Sequence, residues 1–437
     1  MNKKILNIAI PNIISNVTIP LLGLVDLALM GHLGKEDFIG AIALGGMIFN
    51  FLYWGFAFLR MGTSGFAAQA YGARDLKEST LTLSRALLVA LGGSLLLILL
   101  QKPIELLSFY LIQGDQEVEN LARGYYYVRI WAAPATISLY ALTGWYIGMQ
   151  NARIPMVVAI TSNILNILLS TLFVYGFHME AKGVALGTVL AQYGALLLAL
   201  YFLRAHYWKL IRHWSTKGML QITALKKFFQ VNRDIFIRTL CLIFVFTFFT
   251  SESANTNKTI LAVNSLLLQF LMLFSYLMDG FAYAAEALVG KYVGSQNRED
   301  LKRLIQHLFK WGIGISACFT LLYGTSGNEI LSLLTSNSKV LNAATPFMIW
   351  VILLPFLSFA SFLYDGIYIG ATSSVYMRKT MMISTLLIFI PVYFTLGKIW
   401  SNHGLWIAML GFMLSRGVFQ AIYYKKAVLN LIPQKSN

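Results

Sequence analysis

The sequence predicts an all-α membrane protein with twelve transmembrane helices arranged as two six-helix bundles. Of its 437 residues, 57% are hydrophobic and only 12% are charged, which is about half the charged fraction of a soluble domain. The apolar residues form long runs, and several runs reach the ~20 residues that a helix needs to cross a bilayer. These runs lack the residue-by-residue alternation of a transmembrane β-strand, which excludes an outer-membrane barrel.

Twelve runs free of Lys, Arg, Asp and Glu predict the spanning helices, and the shorter runs gain length from flanking residues that reach the interface. In chain order the runs are 5–25, 38–59, 86–101, 130–152, 154–179, 183–203, 239–251, 259–278, 311–328, 340–364, 380–397 and 399–415. The first run follows "MNKK", which is typical of the charged start of a signal peptide. The apolar run behind it, however, is too long for a signal peptide and contains Pro11 and Pro20. We therefore expect it to be the first spanning helix. The two isolated cysteines and the unclustered histidines indicate neither a metal site nor a redox pair.

The basic residues follow the positive-inside rule when both termini are placed in the cytoplasm. The chain has 34 Lys and Arg against 18 Asp and Glu, a net charge of +16. With this orientation the inward connections hold 24 Lys and Arg residues, and the outward connections hold seven. The charge therefore indicates membrane topology. We expect a multi-pass protein of the plasma membrane whose partner is the lipid bilayer, with no nucleic-acid partner.

An internal repeat relates the two halves of the chain. "LYALTGWYIG" at 139–148 matches "SFLYDGIYIG" at 361–370, and the same shift in numbering pairs Gly72 with Gly294. The same difference in residue number also pairs Gly144 with Gly366, and we call it the repeat offset. An offset that preserves six helices per half keeps both halves in the same orientation, as in a parallel repeat. The sequence therefore predicts two six-helix bundles that arose by duplication.

The repeat predicts three regions: an N-terminal lobe at 1–204, a linker at 205–232 and a C-terminal lobe at 233–437. The linker is basic and rich in aromatic residues. Such a composition can stack on nucleic acid, but next to spanning helices it favours an amphipathic cytoplasmic helix in the lipid headgroup region.

Four acidic residues fall within the apolar segments. An ionisable side chain at mid-bilayer costs at least ~2.5–3.5 kcal/mol on insertion scales, so it usually faces a cavity or a partner and indicates function. The four residues are Asp26, Asp279, Glu286 and Asp365.

Asp26 is the predicted proton-coupling residue. On a helix it extends a stripe that is mostly polar or small and predicts a wet cavity, formed by Asn12, Asn16, Ile19, Gly23 and Asp26. Pro11 and Pro20 remove backbone hydrogen bonds and allow this helix two shapes. Burial disfavours the charged form of a carboxyl group and raises its pKa. We therefore expect Asp26 to exchange a proton near neutral pH. The alternative is a structural ion pair with Arg60 or Arg129.

The remaining candidates divide between the lobes. Asn163, Asn166 and Ser170 lie within two turns of one face, which favours either a cavity lining or interhelical hydrogen bonds. The predicted N-lobe cavity residues are Asn12, Asn16, Pro20, Gly23, Arg60, Arg129, Tyr140, Asn163, Asn166 and Ser170. The C-lobe candidates are Arg238, Asp279, Glu286 and Asp365. For Asp365, bonding to Arg238 or Arg416 and a coupling role both remain open.

Several segments resemble the multidrug and toxic compound extrusion (MATE) family, and most closely its DinF-type subgroup. They are "PNIISNVTIPLLGLVDLALMGHLG", "FLRMGTSGFAAQAYGA", "RIWAAPATISLYALTGWYIGMQNARIP", "NRDIFIRTL" and "MDGFAYAAEALVG". The resemblance implies two lobes around a V-shaped central cleft and efflux of organic compounds driven by inward H⁺ or Na⁺. It also implies that the first-helix aspartate, here Asp26, binds protons.

The chain departs from the family pattern on the fifth helix and, relative to the Na⁺-driven branch, on the seventh. Prokaryotic relatives often carry Asn-x-x-x-Asp on the fifth helix, whereas this chain has Asn166 and Ser170. The seventh-helix glutamate of Na⁺-driven relatives has no match unless Glu252 serves. The missing acid favours protons over Na⁺.

We therefore expect a monomeric exporter of small amphiphilic cations in exchange for protons, with no cofactor and no metal, working by alternating access. The alternatives are a Na⁺-coupled exporter and a flippase for a lipid-linked precursor. A membrane-embedded enzyme is disfavoured because the sequence lacks HExxH, GxSxG and Walker motifs.

Overall fold

The computed structural model describes residues 1–31, 36–112, 115–212 and 218–433, with the side chains of residues 19, 21, 22, 24–31 and 36 left out. The described residues form helices and turns and contain no β-strand. The helices are α1 (Asn2–Gly31), α2 (Glu36–Trp54), α3 (Ala57–Gly72), α4 (Leu76–Leu99), α5 (Gln101–Leu111), α6 (Gln116–Arg129), α7 (Ala133–Gly148), α8 (Arg153–Thr171), α9 (Glu180–Ile211), α10 (Ile222–Thr256), α11 (Lys258–Gly294), α12 (Arg298–Leu334), α13 (Ser338–Ala344), α14 (Met348–Gly370), α15 (Ser374–Ile383), α16 (Ile390–Val392), α17 (Lys398–Trp400) and α18 (Asn402–Ala427).

Nine helical stretches of the described residues are long and apolar enough to cross a membrane. They are Asp37–Gly72, Leu76–Leu99, Arg153–Gly176, Glu180–Ile211, Ile222–Thr256, Lys258–Gly294, Ser338–Gly370, Ser374–Trp400 and Asn402–Leu431. The predicted all-α membrane fold is confirmed. The predicted number of twelve spans stays a prediction, because the runs at 5–25, 130–152 and 311–328 are not among the nine.

The chain divides into two compact units. The N-terminal unit comprises Pro11–Phe228, and the C-terminal unit comprises Met1–Ile10 together with Phe229–Asn437. Helix α1 contributes to both, and the division within it falls at a proline. The lobe boundaries at 204 and 233 stay predictions. The 205–232 linker region is occupied largely by the end of α9 and the start of α10.

Each unit contains a close crossing of two helices at positions that the repeat relates. In the N-terminal unit a Cβ at Gly144 of α7 would collide with the backbone carbonyl of Arg60 on α3. In the C-terminal unit a Cβ at Gly366 of α14 would collide with the backbone carbonyl of Ala282 on α11. The repeat offset relates Arg60 to Ala282 just as it relates the two glycines. The predicted repeat is therefore a repeat of backbone packing, in which small residues let two helices approach closely.

The same crossings continue one turn further along. Gly148 packs against the carbonyl oxygen of Ser64, and Gly370 packs against that of Glu286. Ser64 and Glu286 are again related by the repeat offset. Glycine is needed at all four repeat positions because the neighbouring atoms belong to backbone and cannot rotate away.

The turns that precede α4 and α12 also repeat. Arg74 and Gln296, which the repeat offset relates, both adopt left-handed backbone conformations with φ of 58° and 55°. The next residues, Asp75 and Asn297, cap the two helices through their side-chain oxygens. A side-chain oxygen at this position satisfies one of the amide groups that a helix start leaves unpaired.

Gly366→Ala is expected to lower the free energy of unfolding by about 1–3 kcal/mol, as is typical of an overpacked interior. The reason is that the added methyl group meets the Ala282 carbonyl, which belongs to a packed helix. Thermal unfolding of purified protein in detergent measures the effect. Gly314→Ala is the matched control, because nothing lies within 4 Å of a Cβ at that position. Equal unfolding temperatures for the two variants would contradict the close crossing.

Candidate functional site

The polar stripe of α1 is buried at its first two positions and exposed at Gly23. Asn12 and Asn16 are 2% and 8% exposed, Pro20 is half-buried and Gly23 is exposed. Asp26 lies on the same helix, but its side chain lies outside the described residues. The stripe therefore begins inside the N-terminal unit, and the position of the predicted coupling carboxylate stays a prediction.

Asn163 connects α8 to α1. Its Nδ2 donates a hydrogen bond to the backbone carbonyl of Thr18, at 3.3 Å. Thr18 lies two residues before Pro20, which lacks an amide hydrogen and weakens the helix locally. Of the predicted cavity residues on α8, Asn163 is thus the one placed beside the proline segment of α1.

Asn166 and Ser170 face α9. Asn166 Nδ2 donates to Thr188 Oγ1 at 2.8 Å, and Thr188 Oγ1 donates to the carbonyl of Val184 at 2.9 Å. Ser170 is fully buried, and a Cβ at Gly187 of α9 would lie 2.6 Å from its Oγ. This geometry corresponds to interhelical hydrogen bonding and close packing. Ser170 occupies the position of the aspartate in the Asn-x-x-x-Asp pattern, and this position therefore lies at a tight contact between α8 and α9.

Arg129 and Tyr140 lie at an aromatic cluster between α2, α6 and α7. The guanidinium carbon of Arg129 lies 5.6 Å from the ring centroids of both Phe49 and Tyr125, within the range of a cation–π interaction. Tyr53 interacts electrostatically with Arg129 and Tyr140. Arg60 lies elsewhere, buried at the α3–α7 crossing.

In the C-terminal unit, Asp365 of α14 is surrounded by three buried partners. Arg416 Nη2 donates to Asp365 Oδ2 at 2.6 Å, and Arg238 Nη2 donates to the same oxygen. Gln420 Nε2 donates to Asp365 Oδ1 at 2.7 Å. All four residues are at most 8% exposed. Two guanidinium groups and an amide thus satisfy both oxygens of one carboxylate, an arrangement that stabilises its ionised form.

The other two acidic candidates of this unit lie on α11. Asp279 is half-buried and interacts electrostatically with Arg416. Glu286 is fully buried, and its backbone forms part of the crossing with α14. The structure therefore groups Arg238, Asp279 and Asp365, whereas Glu286 belongs to the helix crossing.

Sequence reasoning missed Gln420 and a second ion pair, whose carboxylate is buried. Asp234 of α10 is fully buried, and its carboxylate accepts from Arg378 Nη1 at 2.7 Å and from Ser374 Oγ at 3.0 Å. The available signal was helical spacing, because residues four apart share a face. Asp234 lies four residues before Arg238, and Gln420 lies four residues after Arg416.

Comparisons with known proteins agree with this architecture. The family model described as MatE matches the chain twice, at residues 11–172 and 235–395. DNA damage-inducible protein F of Escherichia coli (strain K12) is 35% identical over 429 residues, which cover 97% of this chain and 92% of that protein. Multidrug export protein MepA of Staphylococcus aureus is 21% identical over 410 residues, covering 91% and 89%. The crystal structure of the Vibrio cholerae MATE transporter VcmN in the bent form superimposes with a TM-score of 0.86 at 17% identity, covering 99% of this chain and 98% of that one.

Asp365→Asn is expected to lower the free energy of unfolding by about 3–5 kcal/mol, because it leaves two buried guanidinium groups without their shared counter-ion. Thermal unfolding in detergent measures the loss. Glu299→Gln is the matched control, since the Glu299 side chain is 86% exposed. The double variant Asp365→Asn/Arg238→Gln should recover part of the lost stability. If Asp365→Asn unfolds at the same temperature as Glu299→Gln, the ion cluster does not stabilise the unit.

Ser170→Asp is expected to destabilise the N-terminal unit, because it places a charge in a fully buried contact against Gly187. Ser170→Ala should be nearly neutral, since Ser170 Oγ has no hydrogen-bond partner among the described residues. The two variants are compared by their unfolding temperatures, each measured with and without Na⁺. Selective stabilisation of Ser170→Asp by Na⁺ would contradict this interpretation and would indicate a latent cation site.

Proposed function

Because the chain belongs to the MATE family of multidrug and toxic compound extrusion transporters, we propose that it exports amphiphilic organic cations in exchange for inward protons. The family membership rests on two matches that together span most of the chain, and the DinF-type resemblance rests on the E. coli relative. The protein is a multi-pass membrane transporter. The direction, the coupling ion and the substrate class are our proposal.

The observation that carries the choice of coupling residue is the ion cluster at Asp365. Two arginines and a glutamine hold this carboxylate in the C-terminal unit. A carboxylate held in this way releases its counter-ions only at a large energetic cost. Asp365 is therefore poorly suited to exchange protons in every cycle. We assign coupling to Asp26, on the helix that contains Pro11 and Pro20.

Protons are favoured over Na⁺ by the contacts of α8. Na⁺ binding needs several oxygen ligands and a compensating negative charge. At the position of the family's second acid this chain has Ser170, packed against Gly187. Asn166 donates its amide group to Thr188. These contacts support a single carboxylate, Asp26, as the coupling group of the N-terminal unit.

One proton per cycle is energetically sufficient. A unit charge that crosses the membrane gains ~2.3 kcal/mol per 100 mV, so an assumed proton-motive force of ~150 mV supplies about 3.5 kcal/mol. This free energy sustains a substrate gradient of a few hundredfold. The name of the S. aureus relative, multidrug export protein, supports organic compounds as the exported class.

Asp26→Asn is expected to abolish transport driven by a pH gradient in proteoliposomes, because the variant cannot exchange a proton at this position. The unfolding temperature should stay close to wild type, since Asn retains the size and hydrogen-bonding groups of Asp. The measurement is uptake of a fluorescent organic cation after a pH jump. It is repeated with an imposed Na⁺ gradient, which is expected to drive no transport in wild type.

Glu252→Gln is the matched acid control, because Glu252 lies in the C-terminal unit, where Tyr393 donates to it. This variant should retain pH-driven transport. Full activity of Asp26→Asn would reject Asp26 as the coupling residue, and Na⁺-driven uptake by wild type would reject proton coupling. A panel that includes organic anions and a lipid pyrophosphate tests the substrate class. Preference for the lipid pyrophosphate would favour a flippase.

A further inference from the structure

The segment that joins α9 to α10 is strongly basic and holds no acid. Residues 204–228 contain six Lys and Arg residues and no Asp or Glu. Arg204, Arg212 and Lys226 are exposed. The segment therefore presents a concentrated positive charge that the transport mechanism does not use.

Large apolar side chains are exposed within the same basic segment. Trp208, Leu220 and Ile222 are 50%, 65% and 80% exposed. The guanidinium carbon of Arg204 lies 5.2 Å from the ring centroid of Trp208. Basic groups interspersed with exposed Trp and aliphatic side chains are typical of a surface that lies at the membrane interface, where the bases meet phosphates and the apolar groups enter the acyl boundary.

Buried contacts hold this segment on the N-terminal unit. Arg85 of α4 is 3% exposed and donates through Nη2 to the carbonyl of Gly218 at 3.1 Å and through Nε to that of Met219 at 3.4 Å. Phe228 is buried with its ring centroid 5.7 Å from that of Phe66 on α3. Residues 218–228 are therefore attached to α3 and α4 at two points, which positions the exposed side chains of Leu220, Ile222 and Lys226.

We propose that the exposed side chains of Arg204, Trp208, Arg212, Leu220, Ile222 and Lys226, on the two sides of this connection, bind acidic phospholipid headgroups. We name this set of side chains the interfacial patch. The occupant follows from charge complementarity, because the three exposed bases of the patch, in a segment whose sequence holds no acid, attract an anionic leaflet. It also follows from the apolar side chains, since free phosphate would leave them in water. Nucleic acid offers a polyanion but no acyl layer for Leu220 and Ile222.

A fluorescent label on the patch tests this proposal in the full chain. Leu220→Cys is labelled with an environment-sensitive dye after Cys241→Ser and Cys318→Ser have removed the native thiols. The protein is placed in nanodiscs of phosphatidylcholine alone or mixed with phosphatidylglycerol. We expect blue-shifted emission only with phosphatidylglycerol, and a shift that declines as salt screens the attraction.

Arg204→Gln, Arg212→Gln and Lys226→Gln combined should abolish the shift, because each base near an acidic surface strengthens binding about fivefold. The matched control combines Lys302→Gln, Lys425→Gln and Lys426→Gln, which removes three exposed charges outside the patch. The control should retain the shift. The variant that keeps the charge, Arg204→Lys, Arg212→Lys and Lys226→Arg combined, should also retain the emission shift.

The proposal fails if emission is the same in both bilayers or if the control variant loses the shift equally. It also fails if inorganic phosphate or a single-stranded oligonucleotide produces the shift in phosphatidylcholine and phosphatidylglycerol does not. None of these measurements depends on transport. A failed Asp26 experiment would therefore leave this result unaffected, and a failed lipid experiment would leave the coupling proposal intact.

Discussion

The close contact between a glycine and a backbone carbonyl is the constraint on which each unit depends. Gly144 against Arg60 and Gly366 against Ala282 bring two helices into backbone contact at repeat-related positions. A side chain at either glycine would push the helices apart. This contact fixes the register of α14 on α11, and the residue before Gly366 is Asp365. The register therefore determines where the buried carboxylate meets the arginines.

The same register in the N-terminal unit places a neutral residue at the equivalent position. Thr143 precedes Gly144 and corresponds to Asp365 at the repeat offset. The offset also relates Asn12 to Asp234 and Asn16 to Arg238. Asp365, Asp234 and Arg238 are each buried and engaged in an ion pair, whereas their N-terminal counterparts are uncharged. Duplication thus preserved the helix crossing while the two units diverged in charge.

The sequence predicted the helical membrane fold and the repeat because both depend on local signals, namely uncharged runs and glycine spacing. It named Asp365 with both of its arginine partners but could not decide between structure and coupling, since that choice depends on which helix faces come together. Gln420 was missed because a neutral amide in an apolar helix carries no strong signal. The two α8 asparagines were predicted to share one face. In the structure Asn163 contacts α1 and Asn166 contacts α9, because this face of α8 lies between the two neighbouring helices.

The difference in charge has a mechanical consequence. In the C-terminal unit, ion pairs join α10 to α14 and α15, and a further ion pair joins α14 to α18. Moving any of these helices alone would leave a buried charge uncompensated. Helix α1 occupies the equivalent repeat position, has neutral asparagines instead, and contains two prolines. It also begins in one unit, where Asn2 accepts from Trp311 of α12 at 3.3 Å, and continues into the other. A helix with neutral asparagines at the positions of two C-terminal ion-paired residues, with two prolines and with membership of both units is the element on which we expect one proton to have the largest effect. The proposed placement of the exchangeable acid on α1 follows from that mechanical difference.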